Sequence, residues 1–252
     1  MRRHQVYCIS VSRTAAIIII GDEILSGKIE ECNSFYFTRE LWDLGVAVRH
    51  IAVIPDDVNE ISETLRHVSG KYDFVFTSGG IGPTHDDVTI DGVAKAFNVN
   101  VTRDPELEKL IRERFDEDSV GSALKMSEVP EGAELIKENG LKFPLIVFRN
   151  IFIFPGIPEY LKVKFEAIKE RFREEPFHVR TLYVKMFEAD IAPLLENTLK
   201  RLKDIKIGSY PMVVKDGPRI KITIESKNKA ETDKALNFIK ENLDPSVIIK
   251  IE

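Results

Sequence analysis

The sequence predicts an α/β protein: a parallel sheet with helices on both faces, followed by a small ferredoxin-like α+β domain. Three observations predict it. Ala15–Ile20 is apolar throughout and ends in four isoleucines, the pattern of a strand buried on both faces. Such segments alternate with amphipathic stretches of helical period, which implies right-handed βαβ crossovers. Beyond Pro176 the order becomes strand, helix, strand, strand, helix, strand, the split βαβ arrangement.

The elements follow in order. After the first strand, "GDEILSGKIEECN" reads as a loop. A helix then starts at Asn33 or Ser34, buries Phe37, Leu41 and Leu44, and stops at Gly45. Val46–Ile54 is the second strand. Asp57 with Glu60 three residues on marks a helix start, and Val58, Ile61, Leu65 and Val68 share one face. Tyr72–Ser78 is the third strand, and the helix beyond its glycine turn buries Ile90, Val93, Ala94 and Phe97. "DPELEKLIRERF" gives a helix with Asp104 as cap and Pro105 at its first position. An irregular stretch leads to "KFPLIVFRNIFIFPGIP", read as paired strands ending in a turn, and a helix from Pro158 to about Arg173 closes the domain. The second domain reads as strand His178–Met186, helix Glu188–Leu202, strands Ile205–Tyr210 and Arg219–Glu225, helix Lys229–Leu243 and strand Val247–Ile251. The expected organisation is an N-terminal extension over 1–14, a first domain over 15–175 and a second over 176–252.

Composition narrows the class. At 252 residues with 43% hydrophobic and 31% charged content, the chain can build a large core. A net charge of -5 argues against a nucleic-acid partner, which would call for a basic face. Cys8 and Cys32, with no spaced pair, suit neither a disulfide framework nor a cysteine metal site. "TAAIIII" is too short to span a membrane and no signal-peptide cleavage pattern follows it, so a cytoplasmic protein is expected.

The chemistry concentrates in "TSGGIGPTHDDVTIDGVAKAF", Thr77 to Phe97. Gly79, Gly80 and Gly82 permit positive φ and close backbone approach, so successive amides can converge on an anion. A helix starting near Val88 adds the positive end of its dipole, at the carboxyl edge of the sheet where ligands of open α/β folds bind. The run lacks the Gly-Lys-Ser/Thr ending of a P-loop and the third glycine of the dinucleotide fingerprint. Asp86 and Asp87 would repel a phosphate unless a divalent cation (Mg, Mn, Co or Ni) lay between them, held by carboxylates and phosphate oxygens together. Thr84 and the glycine amides would seat the phosphates. Two duller readings stand beside this one: Asp87 as a plain helix cap and His85 as a solvated turn residue. On neighbouring loops Asp57 reads as a cap, whereas Asp56, Glu23 and Asn33 are surplus to capping and so candidates for ligand contact. Lys125 and Arg149 are the basic residues whose reach to the site is open.

"GDEILSGKIEECN", "VIPDD", "SGGIGPTHDDVT" and "FPGIPE" together resemble the MoaB/Mog molybdopterin-binding domain in its CinA-type form. "SALKMSEVPEGAELI", "IAPLLE" and "IGSYP" are similar to the amino-terminal region of eukaryotic FAD synthases. The resemblance implies a Rossmann-like, often oligomeric domain (dimer or trimer). It implies either metal-dependent hydrolysis of nucleotide pyrophosphates such as FAD and ADP-ribose, or binding of molybdopterin without hydrolysis. It puts the key acid at Asp87, that of the second loop at Asp56, and a ligand-binding set at Gly21, Glu23, Asn33, Ser78, Gly79, Gly80, Gly82, Thr84 and Gly156. Where Mog proteins carry arginine before the key acid, this chain has Asp86, which favours a metal-bound diphosphate. The adenylyltransferase domain of FAD synthases and the amidohydrolase domain of CinA proteins are not expected within these 252 residues.

Overall fold

The structure, a computed structural model, describes residues 12–212, 217 and 219–252. These fall into two compact units, 12–174 and 175–252. Residues 1–11 of the expected N-terminal extension lie outside the described residues, while Thr14 already opens the first strand.

In the first unit, β1 (Thr14–Ile20), β2 (Ala47–Ile54) and β3 (Phe74–Ser78) run parallel, with β1 in the middle. Short α1 (Asp22–Leu25) and α2 (Asn33–Asp43) link β1 to β2, and α3 (Val58–Ser69) links β2 to β3. After β3 come α4 (Thr89–Phe97), β4 (Val101–Arg103), α5 (Pro105–Arg114), α6 (Val120–Ala123) and β5 (Glu128–Pro130). Strands β6 (Glu134–Ile136), β7 (Leu145–Phe148) and β8 (Ile151–Phe154) complete the sheet before α7 (Pro158–Ile168). The sheet order is β2-β1-β3-β8-β7-β6. It is therefore mixed, not wholly parallel: β8 extends the parallel run, β7 runs against it, and β6 pairs antiparallel with β7. The tight turn at Arg149, where φ is 55°, makes a hairpin of β7 and β8, and a hairpin must be antiparallel.

The apolar run of β1 is continuous because it serves two cores. Ala15, Ile17 and Ile19 pack with Phe37, Phe76, Phe154, Phe165 and Phe172 toward α2 and α7. Ala16, Ile18 and Ile20 pack with Ile61, Leu65 and Val93 toward α3 and α4. Each buried isoleucine contributes about 1.5–3 kcal/mol. Phe76 anchors the aromatic side, with ring centroids 5.3 Å from Phe37 and 5.0 Å from Phe172. Gly92 lets α4 lie against α3, since a Cβ there would stand 2.3 Å from Ile61.

The second unit holds β9 (His178–Val184), α8 (Glu188–Arg201), β10 (Lys206–Met212), β11 (Arg219–Ser226), α9 (Lys229–Glu241) and β12 (Ile248–Ile251). Its sheet order is β10-β11-β9-β12, with every neighbour antiparallel, as a βαββαβ chain requires. Leu182, Val184, Ile220, Ile222 and Ile224 point to one face and pack with Ile191, Leu195, Leu236 and Ile239 of the two helices.

Candidate functional site

Strands β1, β2 and β3 are parallel, so the loops after Ile20, Ile54 and Ser78 share one edge. Three loops are tied together there. Asn33, buried at the start of α2, donates from Nδ2 to Ser78 Oγ at 3.0 Å and to the Gly156 carbonyl at 2.7 Å. The Ser78 hydroxyl donates onward to the Pro155 carbonyl. The expected ligand contacts Asn33, Ser78 and Gly156 thus join one another and form the floor of the site. Gly156 comes so close that a Cβ on it would lie 3.4 Å from the Gly79 Cα.

The glycine turn is built on this floor. Gly79 (φ +110°) donates to the Phe154 carbonyl, and a Cβ there would lie 2.0 Å from the Ile20 carbonyl oxygen. Gly80 (φ +64°) has Thr89 Oγ1 where a Cβ would reach, and Thr89 donates its hydroxyl to the Gly79 carbonyl at 2.9 Å. A buried threonine therefore locks the turn to the first residue of α4. Sequence reading misses Thr89, because an alcohol after Val88 looks like any first-turn residue.

Asp87 sits just before this helix yet does not cap it. The N-cap is Val88, with no side-chain capping bond. Instead Asp87 Oδ2 accepts from the Thr84 amide at 2.8 Å and the Thr84 hydroxyl at 2.5 Å, closing the loop tip on itself. The capping reading is thereby corrected, and Thr84 has its hydroxyl engaged with the acid. A Cβ on Gly82 would meet the same carboxylate at 2.7 Å, so glycine makes room for it. Asp86 is exposed beside it. The neighbouring Thr84 side chain, its own backbone amide and the Lys125 ammonium hold its carboxyl below the usual range. His85 projects into solvent with its side chain 98% exposed, 3.9 Å from Asp86.

From the second loop, Asp56 Oδ2 accepts from the Asp22 amide at 2.8 Å, and its Oδ1 lies 3.4 Å from where a Gly80 Cβ would begin. Burial pushes the Asp56 carboxyl above the ordinary carboxylate range. The Asp22 amide opposes that shift, and the charges of Glu23, Asp22 and Asp86 add to it. Asp57 is the cap of α3, accepting from the Asn59 and Glu60 amides. Lys125, from the segment before β5, reaches the loop tip and donates to the Thr84 carbonyl at 2.5 Å. Arg149 does not approach: it follows β7 at the opposite edge of the sheet, over the rings of Phe97 and Phe148.

A cavity of about 1690 Å³ opens beneath the turn, with Glu23, Asn33, Gly79, Gly80 and Asp87 on one wall. Its far side is apolar, with Leu110, Phe115, Met126, Phe143 and Tyr160. Lys164 of α7 also lines it, donating to the Phe143 and Pro144 carbonyls at 2.7 and 2.6 Å. Burial pushes its amine down to about 8. Among the described residues no group of three or more His, Cys, Asp or Glu is gathered to hold a metal ion. The carboxylates here suit a hard cation completed by phosphate oxygens and water, not an all-protein cage.

Residues 16–174 match the family model described as a probable molybdopterin binding domain. The chain belongs to this family. After this molybdopterin-binding domain, residues 176–252 match the middle domain of FAD synthase. A protein of Archaeoglobus fulgidus is 37% identical over 229 residues, 90% of this chain and 97% of that one. A probable FAD synthase of Caenorhabditis elegans is 31% identical over 265 residues, 94% of this chain but 51% of that one. The chain thus spans about half the length of that relative. Among solved structures, the protein CinA of Thermoplasma acidophilum superposes with a TM-score of 0.59 at 28% identity, over 64% of this chain and 98% of its own. That match spans about as much of the chain as the molybdopterin-binding domain alone. No helix of the described residues is long and apolar enough to cross a membrane.

Proposed function

We propose that the first unit hydrolyses the pyrophosphate linkage of a nucleotide such as FAD or ADP-ribose, with a divalent metal ion. One observation carries the reading. Carboxylates from two loops, Asp56 and the Asp86–Asp87 pair, flank a glycine turn whose amides and following helix favour an anion. Acids beside an anion cradle oppose its purpose unless a cation offsets them. Asp86 and Asp87 supply the carboxylate oxygens that would hold it, with phosphate oxygens and water completing the shell. When bound, such an ion polarises a phosphoryl oxygen and lowers the pKa of water.

The chain's own residues do the rest. The Gly80 and Gly82 amides and the amino end of α4 orient the diphosphate. Asp56 takes up the proton of the attacking water, or positions it, and Glu23 faces the ribose. Water adds to one phosphorus as the bridging P–O bond breaks, so FAD yields FMN and AMP. Incubation of the protein with FAD, ADP-ribose or CoA and each of Mg²⁺, Mn²⁺, Co²⁺ and Ni²⁺ tests this. Release of FMN and AMP is the expected outcome; no product in any combination overturns it.

A second reading, a binding module for molybdopterin or a nucleotide without turnover, draws support from the family description of residues 16–174. It expects a pterin or nucleotide retained through purification and released intact on denaturation, which mass spectrometry would identify.

A further inference from the structure

We infer that the face of the second unit's sheet turned away from its two helices is a stacking platform for single-stranded nucleic acid. In this sheet the residues facing the helices are Leu182, Val184, Ile220, Ile222 and Ile224. Alternation therefore sends Tyr183, Lys221 and Thr223 to the other face. The register then sets four side chains in one line across all four strands. Tyr210 of β10 pairs with Lys221 of β11, Lys221 with Tyr183 of β9, and Tyr183 with Lys250 of β12. The row reads Tyr, Lys, Tyr, Lys. No sequence inspection shows this, because the four positions are scattered over 68 residues and meet only through the β10-β11-β9-β12 order.

The row is exposed at its Tyr210 end, while Thr181 and Thr223 on the same face are buried. Tyr210 lies along the sheet over Gly208, where a Cβ would stand 2.6 Å from its hydroxyl oxygen, and the tyrosine remains 52% exposed. Tyr183 is half-buried. Its hydroxyl donates to Glu252 at 3.2 Å, and the Lys250 ammonium lies 6.0 Å from its ring centroid. Lys250 is also paired with Glu252. With strands about 4.8 Å apart, the two tyrosines stand about 10 Å from each other with a lysine between them. That suits two bases of an extended strand stacked on rings, with a phosphate between.

Charge favours a polyanion over an apolar partner. Arg219, Lys206, Lys221 and Lys250 share the face with Glu225 and Glu252. Residues 175–252 hold 14 Lys and Arg against 12 Asp and Glu, so the acidity of the chain belongs to the first unit. The whole-chain balance that argues against nucleic acid averages over this division. A polymer that adds one stacked base to the next is the ligand such a surface can hold.

Fluorescence polarisation of a labelled oligouridylate 12-mer with the full-length protein at low salt tests this. Binding is expected, with each of Tyr183→Ala and Tyr210→Ala weakening it about tenfold, from the stacking lost per base. Tyr210→Phe should keep it, and Lys221→Gln should reduce the salt slope by about 0.7. Thermal melting of each variant serves as the check on folding. No binding at low salt, or binding indifferent to both tyrosines, overturns the inference. So does a Tyr210→Ala variant that turns a dimer into a monomer without affecting the oligonucleotide, since the face would then belong to a second copy of the chain.

Discussion

Asp56 carries two opposed roles at the residue scale. Its carboxyl is pushed up chiefly by burial, so folding disfavours its charged form. The stability this group contributes is complete below the ordinary carboxylate range and is lost as pH rises through its raised folded value. Asparagine keeps the acceptor for the Asp22 amide without the charge. Asp56→Asn should therefore melt at a higher temperature than the parent at neutral pH, with the gap closing toward about pH 4. The same variant should lose FAD hydrolysis, an exchange of stability for activity. A calorimetric pH series read beside the turnover assay checks both halves, and a variant that melts lower at neutral pH refutes the first. On the proposed function, Asp87→Asn weakens the hold on the ion and should cost about 3 kcal/mol of transition-state stabilisation, roughly a hundredfold in kcat. Retained turnover in that variant would move the catalytic charge elsewhere.

The turn and its packing decide what can be altered at the scale of elements. Gly79→Ala places a Cβ against a main-chain oxygen that has nowhere to go and also strains a positive φ. A loss of about 3 kcal/mol or more in denaturant unfolding is expected. Gly92→Ala drives into Ile61 at the α3–α4 contact, which can relax by a side-chain shift, so about 1–3 kcal/mol is the expected loss. What the sequence makes legible follows the same line. Helices α2, α3 and α4 are readable because their buried faces repeat at the helical period, and Asp57 and Asp104 cap as their spacing predicts. The β4–β5 ribbon escapes, because two three-residue strands carry no period to detect. The antiparallel β7 is readable only as part of a hairpin, and its place in the sheet is not. Within the candidate site, the glycines and acids stand out by type. Which acid bonds Thr84, and that Asn33 serves the floor, depend on loop geometry that no spacing encodes.

For the whole molecule, the two units own separate cores, and the boundary falls between Glu174 and Glu175. Ligands of the first unit should stabilise that unit alone. Calorimetry with FAD and a divalent metal is expected to raise one transition and leave the other in place, by mass action on the folded unit that binds. Two transitions moving together would mean that the units unfold as one. The charge division has a counterpart here: an acidic first unit and a mildly basic second one are expected to differ in their response to salt. Raising the ionic strength should weaken oligonucleotide binding and leave pyrophosphate turnover far less affected.

Asn33 gives the floor of the site a chemical clock. It is followed by Ser34, a small neighbour that does little to hinder attack of the backbone on the amide, and amides are among the thermolabile groups of a chain. Burial at the start of α2 and two donated hydrogen bonds hold that amide still. Once converted to aspartate it would face the Gly156 carbonyl with a negative charge and no proton to offer. The slow gain of acid at this one position, followed during incubation at elevated temperature, would therefore record how often the floor comes apart.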